Sequence, residues 1–438
     1  MRTKIAVRRE DINRWEKRAP LIPSHVRELI ANHPIDVWVQ PSKIRVFADG
    51  DYEREGARIE ENICPCRIVF GLKEIPLDLL EKNKIYVFFS HTAKGQPHNM
   101  PMLRKMMDLG CSLIDYEKMA DDKGRRVLFF GSFAGHAGMV DTLWALGRRL
   151  SVEGIKTPFL SLRQIFRYQS LVEAKEEVAK VGWKIRKQGL PPSLAPLVCG
   201  FLGYGHVSRG AQEIFDLLPV ESIRPADVPA LFKKRGFSAH RLYKAVFREE
   251  DMVRTRQAGG VFDLQDYYRN PGRYKPVVES YLPYLTVLVN GIFWSPMYPR
   301  FVTRKFIKKL YGGAGLPRLK VIGDITCDIE GSIECNVRAT GPDDPVYVYD
   351  PAEGKALSGF QGKGPVVLAV YNLPAELPLE SSVYFSQTLK SFVPPIASAD
   401  FDGGFAACRL PDEVKKAVIL FKGRLTPDYA FLKDCLPA

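Results

Sequence analysis

The chain has no apolar run of the length a membrane-spanning helix requires. It has no apolar signal core followed by a small-residue cleavage site after Met1, so a cytoplasmic location is expected. Internal repeats and low-complexity tracts are missing, which excludes solenoids, fibres and extended disorder. Cysteine is sparse, at 8 residues in 438, and the one close pair is Cys64-Pro-Cys66. Without a second pair at ligand spacing, no metal site is expected, and the thiols read as reduced. The formal net charge is +13, but the basic residues are dispersed and no zinc-finger or RNP pattern accompanies them. A nucleic-acid partner is therefore not expected, and the excess fits an ordinary basic surface or the attraction of small anions.

What is present is an alternation of short apolar strands and amphipathic helices. Residues 4–7, 37–40, 68–71, 85–90 and 112–115 read as strands, with helices over 23–32 and 101–110. Alternating βα units imply a largely parallel sheet. The run Gly131-Ser-Phe-Ala-Gly135-His136-Ala-Gly138 opens a long helix towards Leu150, and its small residues suit either close packing or a hinge. A charged helix over 171–188 stops at Gly189 and Pro191-Pro192. A second βα series follows, with strands over 196–201, 222–223, 285–293, 319–325 and 365–371, and a crossing helix over 378–392. Residues 226–280 read as an irregular, Arg- and Tyr-rich insertion.

The strongest local motif is Pro196-Leu-Val-Cys-Gly-Phe-Leu-Gly203-Tyr-Gly205-His-Val-Ser208, an apolar strand running into a Gly-rich turn and then a helix. In a dinucleotide fold Gly203 allows the tight turn, Gly205 lets a pyrophosphate approach the backbone, and Ser208 is small enough for helix and strand to pack. Free N–H groups at the helix start would receive the phosphates. An acidic residue about twenty positions on would hold the ribose of NAD, and Glu221 lies in that window. So does Arg224, whose guanidinium could pair with the extra phosphate of NADP. NADP(H) is favoured here, with NAD(H) next.

Three stretches in the first series place polar residues in apolar surroundings: Trp15-Glu-Lys-Arg18-Ala-Pro-Leu, Val69-Phe-Gly-Leu-Lys73-Glu-Ile-Pro, and Val87-Phe-Phe-Ser-His91-Thr-Ala-Lys94-Gly-Gln. Lys73 and His91 each follow a strand, and strand ends in α/β domains are where ligands gather.

These stretches resemble the alanine dehydrogenase and saccharopine dehydrogenase superfamily. More narrowly they resemble the lysine–ketoglutarate reductase half of aminoadipic semialdehyde synthase. The resemblance continues through Leu113-Ile-Asp-Tyr-Glu117-Lys, Gly124-Arg-Arg126, the Gly203 turn, Asn290-Gly-Ile-Phe-Trp, Gly323-Asp324-Ile-Thr-Cys-Asp328 and Tyr371-Asn372-Leu-Pro. It covers nearly the whole chain in order. The second, saccharopine-oxidising half has no counterpart here, so a separate enzyme for that step is a possible partner.

The resemblance implies two Rossmann-like α/β domains separated by an active-site cleft: residues 1–140 as the catalytic and substrate domain, 141–370 as the dinucleotide domain, and 371–438 crossing back to the first. It implies an NAD(P)H-dependent oxidoreductase that condenses lysine with 2-oxoglutarate and reduces the imine to saccharopine, or the reverse. Lys73 and His91 match the family's acid–base pair. Glu117 matches a glutamate that could tune them, and Lys94 is a further cation in the same pocket. Arg18 and Arg126 match the substrate arginines, whose planar guanidinium groups grip carboxylates. Asp324 and Asn372 match cofactor-side positions, and Asp328 a substrate-side one. His136 departs from the pattern and is read as packing. A related dehydrogenase taking another amine or oxo acid, or a non-catalytic cofactor sensor, are the alternative readings.

Overall fold

The computed structural model describes residues 2–234 and 236–437, with Lys234 by its backbone alone. It divides into two compact units, Met1–Phe130 with Pro378–Ala438, and Gly131–Leu377. The strands of the first unit are β1 (Thr3–Val7), β2 (Ile35–Val39), β3 (Arg58–Ile59), β4 (Ile68–Phe70), β5 (Ile85–Phe88) and β6 (Ser112–Asp115). The second unit holds β7 (Leu197–Leu202), β8 (Val220–Ile223), β9 (Leu242–Phe247), β10 (Val253–Thr255), β11 (Tyr274–Pro276), β12 (Val287–Asn290), β13 (Val321–Asp324), β14 (Val346–Asp350), β15 (Lys355–Ser358) and β16 (Val366–Leu368). The chain then returns to the first unit with β17 (Val418–Phe421) and β18 (Arg424–Leu425).

Each unit is Rossmann-like and built on an eight-stranded sheet. In the first the order is β18-β17-β6-β5-β4-β1-β2-β3, parallel from β6 to β3, with β17 antiparallel against β6. Every residue of β4, β5 and β6 is buried, as expected where both faces of a parallel sheet are covered. The returning helix Pro378–Leu389 caps the backbone of this unit. Ser382 Oγ accepts from Ala19 N at 2.9 Å, and Ser386 Oγ from Ile22 N at 3.0 Å. Phe385 stacks on Phe130, ring centres 4.8 Å apart, and meets Tyr116 edge-on at 5.0 Å.

In the second unit the order is β15-β14-β16-β13-β12-β7-β9-β8. The six strands from β16 to β8 are parallel, and the β14–β15 hairpin closes the other edge antiparallel. One expectation fails here. The segment 226–280 is not an irregular insertion throughout, because it contains β9, which lies between β7 and β8. Its Lys244 and Val246 are only half-buried, and that broke the apolar run that marked the other strands.

The Gly-rich helix α1 (Gly131–Val152) packs against α2 (His206–Phe215), the helix after the Gly203 turn. A Cβ on Gly135 would overlap the Val207 carbonyl oxygen and lie 2.6 Å from Ala211 N, and one on Gly210 would overlap the Ser132 carbonyl. The glycines therefore serve a backbone-to-backbone helix crossing. His136 joins the same contact, its Nε2 lying 2.6 Å from Glu213 Oε2.

Candidate functional site

In the first unit the polar residues gather where β1, β4, β5 and β6 end. Lys73 follows β4 on a turn whose amides are held by Glu10, at the end of β1. Glu10 Oε1 accepts from Leu72 N at 2.7 Å and Oε2 from Lys73 N at 3.0 Å. Burial, and then the nearby Arg18 guanidinium, hold the Lys73 ammonium below the ordinary lysine range. His91 follows β5 in the left-handed region, φ 49°, with its Nδ1 2.5 Å from Glu74 Oε1. Burial pushes the Glu74 carboxyl up, but its hydrogen bond to His91 and the imidazole's charge outweigh that and leave it lowered. The structure thus brings Lys73, Glu74 and His91 together, and the neighbour of Lys73 in sequence proves to be the partner of His91.

The other expected residues of this unit are engaged differently. Glu117 Oε1 accepts from Arg126 Nη2 at 2.8 Å, so it is ion-paired with that arginine. Arg18 is 3 % exposed and forms a two-pronged pair with Glu16, at 2.7 and 2.6 Å, over the ring of Phe130. Lys94 is exposed. Behind the cluster, Asp115 accepts from Ser90 Oγ at 2.5 Å and from Glu117 N at 2.8 Å, and burial pushes it up to about 6. Sequence reasoning passed over Glu10, Glu16, Glu74 and Asp115. Only Glu74 carried a local signal, its place beside Lys73.

In the second unit a cavity of about 380 Å³ opens beside the Gly-rich turn, lined by Gly203, Tyr204, Gly205, Glu249, Tyr268 and Phe293 among others. Gly203 has φ 85°, and a Cβ there would lie 2.6 Å from Ile292. Gly205 caps α2, and a Cβ on it would meet nothing within 4 Å. Ser208 is fully buried. Its Oγ donates to the Gly203 carbonyl at 2.7 Å, and the place a Gly291 Cβ would occupy is 3.0 Å from Ser208 N. A tight turn, an open glycine at a helix start and a small third residue fit a bound pyrophosphate.

The two residues in the ribose window, Glu221 and Arg224, do not lie on the strand beside the turn. Arg224 follows β8, which pairs with β9 and not with β7, and its exposed side chain is bound to Asp227 at 2.8 and 3.1 Å. Glu221 lies on β8 and pairs with Arg241. The strand beside the turn is β9, and Gly203 N donates to the Phe247 carbonyl at 2.9 Å. The next two residues face the turn. The Arg248 guanidinium lies 5.2 Å from the Tyr204 ring centre, and Glu249 Oε1 accepts from Tyr268 Oη at 2.7 Å.

Asp324 also differs from expectation. It is 1 % exposed, and its two oxygens accept from Asn290 Nδ2 and Asn336 Nδ2, both at 2.8 Å, with Thr326 at 3.2 Å. Burial pushes it up to about 6. It ties the loop after β13 to the strand end rather than facing outward. Asp328, on that loop, is half-buried, and Asn372 is buried at the start of the turn Leu373–Glu376.

Residues 6–137 match the family described as alanine dehydrogenase/PNT, N-terminal domain. Over 98% of its length the chain is 39% identical to the α-aminoadipic semialdehyde synthase of Arabidopsis thaliana, of which it spans 41%. Over 85% of its length it is 26% identical to a saccharopine dehydrogenase [NAD(+), L-lysine-forming] of Emericella nidulans, covering 87% of that protein. In structure it resembles an L-alanine dehydrogenase, with a TM-score of 0.58 at 17% identity and 99% of each chain covered. Residues 6–137 thus form an alanine dehydrogenase/PNT N-terminal domain, in a chain homologous to aminoadipic semialdehyde synthase and to saccharopine dehydrogenase.

Proposed function

We propose that the chain is a lysine–2-oxoglutarate reductase, a saccharopine dehydrogenase of the lysine-forming type, which uses a nicotinamide cofactor. The observation that carries this reading is the Lys73–Glu74–His91 cluster at the strand ends of the first unit, in a chain related over 98% of its length to a protein named for aminoadipic semialdehyde.

The chemistry asks for such a cluster. The substrate amine must lose a proton before it attacks the ketone, and the carbinolamine must then shed water with help from an acid. Lys73, lowered by burial and by Arg18, loses its proton more readily than an ordinary lysine and so is suited to take one from the substrate amine. Glu74 fixes one ring nitrogen of His91, which leaves the other to exchange protons with the substrate. Arg126, 44% exposed and joined to Glu117, can trade that carboxylate for one on the oxo acid, while Arg18 and Glu16 form a buried pair over the Phe130 ring.

When bound, the nicotinamide cofactor supplies the hydride that reduces the imine. Gly203, Gly205, Ser208 and the first turn of α2 would hold its pyrophosphate. NADP(H) remains the favoured form, with Arg248 in place of Arg224 as the partner of the extra phosphate. Glu249 in the same cavity wall is the feature that favours NAD(H), because a carboxylate suits a free ribose hydroxyl.

The test is direct. Purified protein is mixed with lysine, 2-oxoglutarate and NADPH, then NADH, and absorbance loss is followed at neutral pH. Consumption that requires both substrates and yields saccharopine supports the proposal. Cofactor binding without consumption transfers the reading to another amine or oxo acid.

A further inference from the structure

The parallel ladder between β1 and β4 ends at Arg8 N, which donates to the Phe70 carbonyl at 3.0 Å. Beyond it the amides of Leu72 and Lys73 have no strand to pair with, and the Glu10 carboxylate takes both. Glu10 and Arg8 line Gly71 closely: a Cβ there would sit in van der Waals contact, 3.5 Å from Glu10 Oε1 and from Arg8 Cγ. Glu10 is 6 % exposed, so it is held there against a desolvation cost. A neutral glutamine would avoid that cost. However, it offers one oxygen to two donors and sets its own N–H against the second. An aspartate is one methylene too short to reach as far. The site therefore retains a buried acid because only an ionised glutamate meets both amides.

We infer that Glu10 is a positioning residue for the reaction, fixing through two main-chain hydrogen bonds the turn from which Lys73 works. The inference rests on the acid–base reading of Lys73 given above. The charged and titratable groups around Glu10 are Arg8 on its own strand end, Glu16 and Arg18 on the following loop, Lys73 after β4, and Tyr116 after β6. Burial and then Glu16 push Glu10 up to about 7, so the grip weakens as pH falls through neutrality. Its negative charge also supports the Lys73 ammonium, so its removal lowers Lys73 further.

The test compares wild type, Glu10→Gln and Glu10→Asp by three measurements. Hydrogen exchange of the peptide carrying Leu72 and Lys73 reports the turn. Acylation of Lys73 against pH, resolved by mass spectrometry, reports its titration. Turnover with lysine, 2-oxoglutarate and NADPH reports the chemistry. Glu10→Gln is expected to lose the exchange protection, shift the Lys73 midpoint to lower pH and reduce kcat by about 10–100-fold, the scale of a misplaced reacting group, with cofactor affinity unchanged. Wild-type protection, midpoint and turnover in folded Glu10→Gln would overturn the inference. Should wild type itself fail to turn over, the functional reading falls, and exchange and acylation still decide the role of Glu10. Should the variants fail to fold, wild type decides alone. Protection of the Leu72–Lys73 peptide that does not decline between pH 8 and about pH 6, after correction for intrinsic exchange, would refute the grip.

Discussion

Two glycines in the same motif are expected to fail in opposite ways when a methyl group is added. At Gly210 a Cβ would overlap the Ser132 carbonyl oxygen and come within 3.0 Å of Ser132 Cα. Backbone cannot yield as a side-chain tip can, so the cost falls at the upper end of the ~1–3 kcal/mol seen for overpacking. Alanine recovers about 1 kcal/mol through helix propensity, which leaves a net loss of ~2 kcal/mol. For a unit of this size that is a fall in Tm of about 4–8 °C. At Gly205 a Cβ would meet nothing within 4 Å, and its φ of −72° is open to any residue. Gly205→Ala should change stability by less than ~1 kcal/mol, the scale of a poorer helix cap. The open space is where the proposed pyrophosphate meets the helix start. Losing one charge-assisted hydrogen bond there costs roughly 1.5–3 kcal/mol, or about 10–100-fold in Kd. Differential scanning calorimetry and titration with NADPH and NADH measure both quantities on both variants. Gly205→Ala binding cofactor as wild type does would refute the cradle. Gly210→Ala melting at or above the wild-type temperature would refute the helix crossing.

Lys73→Met and His91→Gln should each lower turnover by about 10²–10⁴-fold, the range of acid–base groups, and steady-state kinetics showing no loss in both would remove the assignment. Arg248→Ala should weaken NADPH more than NADH in a fluorescence titration, while Arg224→Ala leaves the ratio unchanged; the reverse pattern would return selection to β8. The Asp115 carboxyl is pushed up to about 6 by burial, against about 3.9 in an unfolded chain. Its neutral form is the one the fold prefers, so its contribution is complete below about pH 4 and is lost as pH rises to about 6, on the order of 3 kcal/mol. Asp115→Asn should therefore gain on wild type in melting temperature between those pH values, and a gap that does not vary with pH would contradict this.

Much of the scaffold was readable because it is local. An apolar strand, a glycine pair and a helix start lie next to one another in the chain, and the turn at Gly203 has the φ of 85° that the motif requires. Lys73 and His91 stood out in the sequence because polar residues soon after buried strands break the apolar pattern. Their partners were not, because hydrogen bonds join positions distant in sequence. Glu10 reaches Lys73 across 63 positions, and Asn290 reaches Asp324 across 34. Composition likewise could not tell that Arg18, one of 63 basic residues, would be buried against Glu16.

The place of β9 shows why sequence spacing pointed to Arg224 while the strand beside the Gly-rich turn ends elsewhere. The spacing rule of about twenty residues assumes that the second strand in sequence is also the neighbour of the first. Here the second strand, β8, is the sheet edge, and the third, β9, fills the neighbouring place. The register Leu202↔Phe247 carries the Gly203 turn to Arg248 and Glu249 instead of to Arg224. A local spacing encodes the turn, but the choice between two candidate strands depends on which buries better beside β7. β9 keeps Leu242, Tyr243, Ala245 and Phe247 buried, whereas no residue of β8 is fully buried. Burial therefore assigns β9 to the interior and β8 to the edge. That distinction between two short strands could have been drawn from their apolar content: Leu-Tyr-Lys-Ala-Val-Phe for β9 against Val-Glu-Ser-Ile for β8.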